Sequence, residues 1–438
     1  MNTPSTTDAL ERRVAKRLLL FLMPATFIAI ADRINISFVA PTMNPAIGID
    51  AATFGFGAGI FFLGYMLFEV PSNLILARVG ARYWISRIMI SWGLVAAAMA
   101  FVSGPTSFVT MRFLLGVAEA GFNPGVLLFA SYWISTKRFA SFTSWLLSSV
   151  PVAGFLTALA SGVILRMDGA LGLAGWQWVF IIQALPAIGL GVFALFYLDD
   201  HPSSARWLSD REKQQIEEMA SPRDRTLHVP ARTSLALAMA NPVIWVIAAA
   251  YLLMNLALGA QPWFPLMLGQ TSLPAAYVPF VVAVPNLLAA IGMILWAKRS
   301  DRRGERKYHL LIAASLSAVG WFLCGFGEGF LAIVLTGITL ALVGLYASVV
   351  VFWAIPPSIM TVEARPAGIG LITCIGLLGS FFSPSLTGFL RTATGSYSGG
   401  MYFAAGGILL AALLVKFAVS LPQDRTVDAE LSVSASRP

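Results

Sequence analysis

Residues 53–84 read TFGFGAGIFFLGYMLFEVPSNLILARVGARYW, an apolar run long enough to cross a bilayer that ends in a short basic connector. A hydrocarbon core of about 30 Å takes roughly 20 apolar residues in a helix, because unsatisfied backbone groups cost several kcal/mol each in lipid. Glu69 lies near the end of the run, and the polar segment after it carries Arg78, Gly80 and Arg82. Working outward in both directions, the same pattern of apolar run and short connector recurs along the whole chain.

Twelve candidate spans result: 18–38, 53–76, 83–102, 107–133, 140–165, 175–198, 241–264, 275–297, 308–327, 330–353, 366–390 and 400–421. Composition agrees. Of 438 residues 58% are hydrophobic and 11% charged, and the mean hydropathy is +0.78, whereas soluble domains carry about 25% charged residues. The fold class is therefore all-α integral membrane, with twelve transmembrane helices in two pseudo-symmetric six-helix bundles. The turn between 327 and 330 is so short that its two spans form a hairpin. The N-terminal apolar run has no small-residue cleavage site before it continues past residue 30, so it reads as a first membrane helix rather than a removable signal peptide.

The chain carries 29 Lys+Arg against 21 Asp+Glu, a net charge of +8. The basic residues gather before span 1 and at alternate connectors, with Arg166 and Arg391 at the opposite ends and Arg33 and Arg112 inside spans. That distribution is the positive-inside signature, not a nucleic-acid surface; it places both termini on the cytoplasmic side of a multi-pass membrane protein. Cys324 and Cys374 both lie in apolar runs, and the three histidines share no ligand spacing, so no disulfide framework, metal site or cofactor is expected. A nucleophile with its base and a phosphate-cradling loop are likewise not found, and an enzyme is not expected.

The organisation expected is a cytoplasmic segment 1–17, a bundle 18–198, a linker 199–240, a second bundle 241–421 and a cytoplasmic tail 422–438. The linker contains WLSDREKQQIEEM (207–219), where Ser209 and Glu212 have capping-box spacing for a short amphipathic helix in a solvated connector. The repeat shows in sequence too: VGARYW at 79–84 and RGERKY at 303–308 lie 224 residues apart, each between the second and third span of its half. Duplicated halves are a transporter architecture, with the solute expected near the bilayer midplane. A single chain holding both halves has no need to assemble, so a monomer is expected.

Ionisable groups inside spans cost about 2.5–3.5 kcal/mol each at a helix centre and call for a partner or a function. In span 1 these are Asp32 and Arg33, and in span 4 Arg112 and Glu119. The last two stand seven residues apart, on one helix face with a rise of about 10.5 Å between them. Gly116, Gly121 and Gly125 in RFLLGVAEAGFNPG (112–125) allow another helix close, and Pro124 is expected to bend this one. Asp32 and Arg33 are rotated about 100° from each other and cannot face one partner. Asp32 is assigned towards Arg112 and Arg33 to an aqueous cavity, with Glu119 apart. The bland alternatives are an Arg–Glu pair that only balances charge and an Arg33 that snorkels to an interface.

Two guanidiniums suit a carboxylate, which each can bind in bidentate fashion. Glu119, among Val117, Ala118 and Ala120, is expected to carry a proton, since burial penalises its charge. Protonation of Asp32 or Glu119 would free Arg112 for the anion. The expected partners are thus a small organic anion, protons and the lipid bilayer, in import by proton symport; exchange of anions without protons is the alternative. Drug efflux fits two cavity arginines less well. Polar residues expected to line the cavity are Tyr65, Ser148, Ser149, Asn255, Gln261, Thr373 and Ser380. Glu69, Arg78 and Gly80 in the first half, and Asp301, Arg302 and Gly304 in WAKRSDRRGERK (296–307), are expected to gate, with Asp301 or Glu69 accepting helix N-terminal amides; a purely topogenic role for these bases is equally compatible with the sequence.

The strings ADRINISFVAPTM (31–43), GAGIFFLGYMLFEVPSNLILARVGAR (57–82) and RFLLGVAEAGFNPG resemble the major facilitator superfamily, and within it the anion:cation symporter family, over about residues 15–421. That family includes importers of tartrate, sugar acids and aromatic acids. The resemblance implies substrate contact for Arg33 and Tyr65, protonation for Asp32 and Glu119, and both tasks for Arg112. The superfamily's loop signature G-x-x-x-D-R-x-G-R is altered in the first copy, where Asn73 and Ala77 replace its Gly and Asp; Asp301, Arg302 and Gly304 keep the second. In LITCIGLLGSFFSP (371–384), Thr373 and Leu377 stand where many relatives carry an asparagine-bearing stretch.

Overall fold

The computed structural model describes residues 6–220, 231–361 and 363–420. The tail 422–438 and parts of the N-terminal segment and linker lie outside the described residues. The chain is all-helical, with no strand among the described residues. Its helices are α1 Thr6–Ala46, α2 Ala51–Val79, α3 Ala81–Ala98, α4 Pro105–Glu119, α5 Phe122–Ser131, α6 Thr136–Ile164, α7 Gly175–Tyr197, α8 Asp210–Ala220, α9 Ala231–Ala240, α10 Pro242–Ala260, α11 Phe264–Leu268, α12 Val278–Arg303, α13 Lys307–Phe326, α14 Leu331–Phe352, α15 Pro356–Ile359, α16 Arg365–Thr394 and α17 Ser398–Ala418.

Among the described residues, eleven helical segments are long and apolar enough to cross a membrane. The remaining expected span, 140–165, falls in the 29-residue α6. Large apolar side chains such as Leu94, Phe101, Leu185, Phe196 and Phe417 stay exposed, which suits a surface solvated by lipid. α13 and α14 form the expected hairpin, joined through Gly327–Phe330.

The chain divides into two compact units, Met1–Ile49 with Ile60–His228, and Asp50–Gly59 with Val229–Pro438. In the first, α1 packs on α6 and α7, and α3 on α7 and α4. In the second, α10 packs on α16 and α17, and α13 on α17 and α14. Counting spans within each unit, both follow one scheme: first with fifth and sixth, third with sixth and fourth. The repeat seen in the connector sequences is thus a repeat of helix pairing.

Two spans are broken where proline dictates. In the fourth, Pro124 has no N–H to donate to Ala120 and its ring would strike that carbonyl, so the helix opens four residues earlier. Ala120 is extended (φ −55°, ψ 133°) and Gly121 takes φ +85°, a conformation that favours glycine. The bend expected at Pro124 is therefore a full break just past Glu119. In the seventh span Gln261–Trp263 forms a 3₁₀ turn containing Pro262, between α10 and α11.

The linker begins with the capping box expected: Ser209 N–H donates to Glu212 Oε2 at 2.9 Å, and Glu212 N–H to Ser209 Oγ at 3.4 Å. α8 is also tied to the N-terminal helix, by Arg13 to Glu212 at 2.6 Å. The Arg17 guanidinium lies 4.5 Å from the Tyr197 ring and 4.6 Å from that of Trp207, so this connector is docked on its own unit rather than merely solvated.

Candidate functional site

The site in the first unit starts from a close approach of α2 and α4. A Cβ on Gly116 would collide with the Phe61 carbonyl, and one on Gly64 would lie 2.6 Å from the Phe113 carbonyl. Glycine at these two positions lets the backbones meet, and the side chains beside them are then forced together. Arg112, Gly116 and Glu119 share one face of α4; Phe61 and Tyr65, one turn apart, share the facing side of α2.

Arg33 of α1 completes the cluster. Its Nε donates to Glu119 Oε1 at 2.7 Å and its Nη2 lies 2.5 Å from the same oxygen. The Glu119 side chain is fully buried and that of Arg33 is 21% exposed, so the pair has one accessible edge, on the arginine. The Arg33 guanidinium sits 4.8 Å from the Tyr65 ring centre and 5.6 Å from that of Phe61; Arg112, itself buried, lies 5.0 Å from Phe61. One aromatic ring thus lies near both cations in a water-poor setting. Phe61 escaped the sequence reading; its signal was an aromatic residue one helical turn before Tyr65.

Asp32 points elsewhere. Its Oδ2 accepts a hydrogen bond from Trp92 Nε1 of α3 at 2.7 Å, with both side chains buried. Oδ1 has no hydrogen-bond partner among the described residues, and neither has Oε2 of Glu119. The 100° rotation between Asp32 and Arg33 holds, but the pairing differs from that expected. Arg33 is bound to Glu119 instead of standing open with Glu119 apart, and the hydrogen bond found on Asp32 comes from Trp92. The break after Glu119 explains this: it leaves Glu119 on the last turn of α4, where Arg33 reaches it. Trp92 was missed because a lone indole in an apolar span looks like core.

The remaining candidates are held within their own elements or units. Ser149 donates to the Leu146 carbonyl in its own helix, and the side chain of Ser148 lies outside the described residues. In the second unit, Ser380 Oγ donates to Asn255 Oδ1 at 2.9 Å, and Asn255 Nδ2 to the Tyr251 carbonyl at 2.8 Å, so this pair fastens α10 to α16. Thr373 bonds back to the Ile369 carbonyl at 3.0 Å, while Gln261, at the break between α10 and α11, accepts from the Tyr346 hydroxyl at 3.4 Å.

At the connectors, the acidic groups at the helix starts are not the ones expected. Asp200, just after α7, accepts from the Arg82 N–H at 2.8 Å and occupies the space beside Gly80, so it rather than Glu69 serves the first turn of α3. Glu69 lies ten residues back on α2, where its carbonyl accepts from Asn73 Nδ2 at 2.8 Å; Arg78 is exposed. In the second unit Glu305 accepts from the N–H groups of Tyr308 at 2.6 Å and His309 at 3.0 Å, opening α13. Asp301 instead pairs with Arg306 at 2.7 Å, Gly304 ends α12 with φ +65°, and Arg302 is exposed. An acceptor at a helix start need only be near in space, and Asp200 comes from a connector 118 residues away in sequence.

With this geometry established, similarity to known proteins is informative. A sequence profile for the Major Facilitator Superfamily matches residues 22–362. A protein of Agrobacterium vitis named "Putative tartrate transporter" is 44% identical over 416 residues, covering 93% of this chain and 92% of its own. The "Quinolone resistance transporter" of Acinetobacter baumannii is 33% identical over 410 residues, covering 92% and 94%. Among solved structures, the partially occluded inward-open xylose transporter XylE from E. coli aligns with a TM-score of 0.74 over 94% of this chain and 99% of that one, at 14% identity, which is evidence for the fold alone.

Proposed function

Because the chain belongs to the major facilitator superfamily, we propose that it is a secondary active transporter that imports a small organic anion, a carboxylate of the tartrate, sugar-acid or aromatic-acid kind, by proton symport with alternating access. The observation that carries this reading is the buried Arg33–Glu119 pair, with Arg112 across the Phe61 ring.

A buried ion pair that loses one partner costs about 3–5 kcal/mol, because the other charge is left alone in a low dielectric. Arg33 therefore keeps a carboxylate at all times, either that of Glu119 or that of the solute. A proton on Glu119 neutralises the resident carboxylate, and the solute anion then takes the guanidinium through its accessible edge. Solute release and loss of the proton re-form the pair and allow the empty carrier to return. Asp32, buried and held by Trp92, is the second proton site, and Tyr65 fixes the Arg33 guanidinium. In this reading the bundles are 18–198 and 241–421, both termini face the cytoplasm of the inner membrane, and the protein works as a monomer. Asn255, Gln261, Ser149 and Thr373 complete the solute's surroundings when their helices move, and Glu69, Arg78, Gly80, Asp301, Arg302 and Gly304 take part in gating.

The test is thermal stabilisation of the purified protein by tartrate, sugar acids and aromatic acids at two pH values. One class of acid is expected to stabilise the wild type, and Arg33→Ala or Arg112→Ala to abolish the effect. Undiminished stabilisation of both variants would overturn the assignment. Proton-free exchange is the second reading, since the two arginines alone suffice for it. Glu119→Gln separates the two: a symporter loses net accumulation and keeps counterflow, whereas an exchanger keeps both. The quinolone resistance relative raises outward transport as a third case, in which energised cells exclude the acid rather than gather it.

A further inference from the structure

α12 carries a feature of which the transport reading uses Arg302 alone, for gating. Val284, Leu288, Ile291 and Leu295 follow one another at steps of three or four residues and are all exposed, forming an aliphatic stripe along one face of the helix. The same face continues beyond Leu295 with Lys298, Arg299, Arg302 and Arg303, all exposed as well. Leu295 and these four basic residues line a cavity of about 390 Å³. None of the four cations forms an ion pair among the described residues, and the nearest acid in sequence, Asp301, is engaged by Arg306 at 2.7 Å.

We propose that this end of α12 is a binding site for an anionic phospholipid, with the phosphate held by Lys298, Arg299, Arg302 and Arg303 and an acyl chain lying along Leu295, Ile291 and Leu288. The chemistry selects that occupant. Three guanidiniums and an ammonium around one cavity complement a phosphate, and arginine matches its oxygens in bidentate fashion. The aliphatic stripe runs directly into the cluster, so the ligand must be apolar on one side of the cavity and anionic in it. A soluble anion fills only half of that description, and a zwitterionic lipid brings an ammonium against four like charges. The site depends only on the chain's being a membrane protein, so its failure and that of the transport reading are separate outcomes.

The test uses the full-length protein in detergent, with retention of dioleoylphosphatidylglycerol followed by native mass spectrometry against dioleoylphosphatidylcholine. A basic side chain near an anionic membrane surface contributes about fivefold in binding, so each double variant, Lys298→Gln/Arg299→Gln and Arg302→Gln/Arg303→Gln, is expected to bind phosphatidylglycerol about thirtyfold more weakly. Arg302→Lys/Arg303→Lys should retain the lipid, which guards against misfolding as the cause. The exposed linker pair Arg206→Gln/Arg211→Gln removes the same charge elsewhere and should change nothing. Equal retention of phosphatidylcholine, unchanged binding in both double variants, the same loss in the linker pair, or displacement of the lipid by an equal concentration of inorganic phosphate would each overturn the proposal.

Discussion

At the scale of residues, the proposed chemistry falls to four side chains, Asp32, Arg33, Arg112 and Glu119, and Trp92 holds the first of them. Trp92 donates to Asp32 in a fully buried setting, and a buried acceptor that loses its donor costs about 1–3 kcal/mol. Trp92→Phe keeps the ring and removes the donor. It is expected to lower stability by about that amount in a thermal melt and to reduce uptake while leaving binding of the anion at Arg33 intact. An unchanged melt and unchanged uptake would remove Trp92 from the account. The sequence made the presence of charges in spans 1 and 4 plain, since few side chains are so costly in lipid. It did not reveal who pairs with whom. Asp32 and Arg33 are neighbours, and which of them faces α4 depends on the rotational setting of α1 against two helices, a property of packing that spacing does not encode.

Helices are positioned by features of a different kind. Span positions and the close approach at Gly116 were legible, because hydropathy is local and a glycine in an apolar run has few other reasons to be there. The length of the break after Glu119 was not, since a proline signals a disturbance whose extent depends on what receives the freed backbone. Gly116→Leu would drive a side chain into the Phe61 backbone; overpacking of this kind costs about 1–3 kcal/mol, so the variant should melt earlier and lose anion binding through displacement of Phe61 and Tyr65. A melt equal to that of the wild type would show that α2 and α4 do not meet there.

α8 offers a pH test outside the membrane. Hydrogen bonds from the Ser209 backbone, then from Arg13, hold the Glu212 carboxyl below the usual carboxylate range. A group whose folded pKa is depressed stabilises the fold above its ordinary pKa, about 4.3, and loses that contribution as pH falls through the folded value. Amide exchange in 210–220 should therefore be slow and nearly constant from neutral pH down to about 5, once the intrinsic pH dependence of exchange is removed, and should accelerate at more acid pH. Glu212→Ala, which removes the carboxylate that the Ser209 backbone and Arg13 hold, should already show the acid behaviour at neutral pH. Protection indifferent to both changes would contradict the docked cap.

The described residues repeat one helix-pairing scheme in two units, yet the buried ionisable cluster found among them lies in the first. Both halves were recognisable from span count and from the paired connectors VGARYW and RGERKY, because a duplicated fold preserves its connectors. The acids that serve the helix starts, Asp200 and Glu305, were not recognisable, since only the folded connector brings a carboxylate to an amide. The asymmetry has a physical sense on the proposed reading: one guanidinium, that of Arg33, with one replaceable carboxylate would couple a proton to an anion without a second copy. The direct measurement is uptake of labelled tartrate by proteoliposomes of the wild-type protein with and without an inward proton gradient. Accumulation above equilibrium only when the gradient is imposed is the predicted result; accumulation, or equilibration, at the same level in both conditions would contradict a proton and an anion alternating at Arg33.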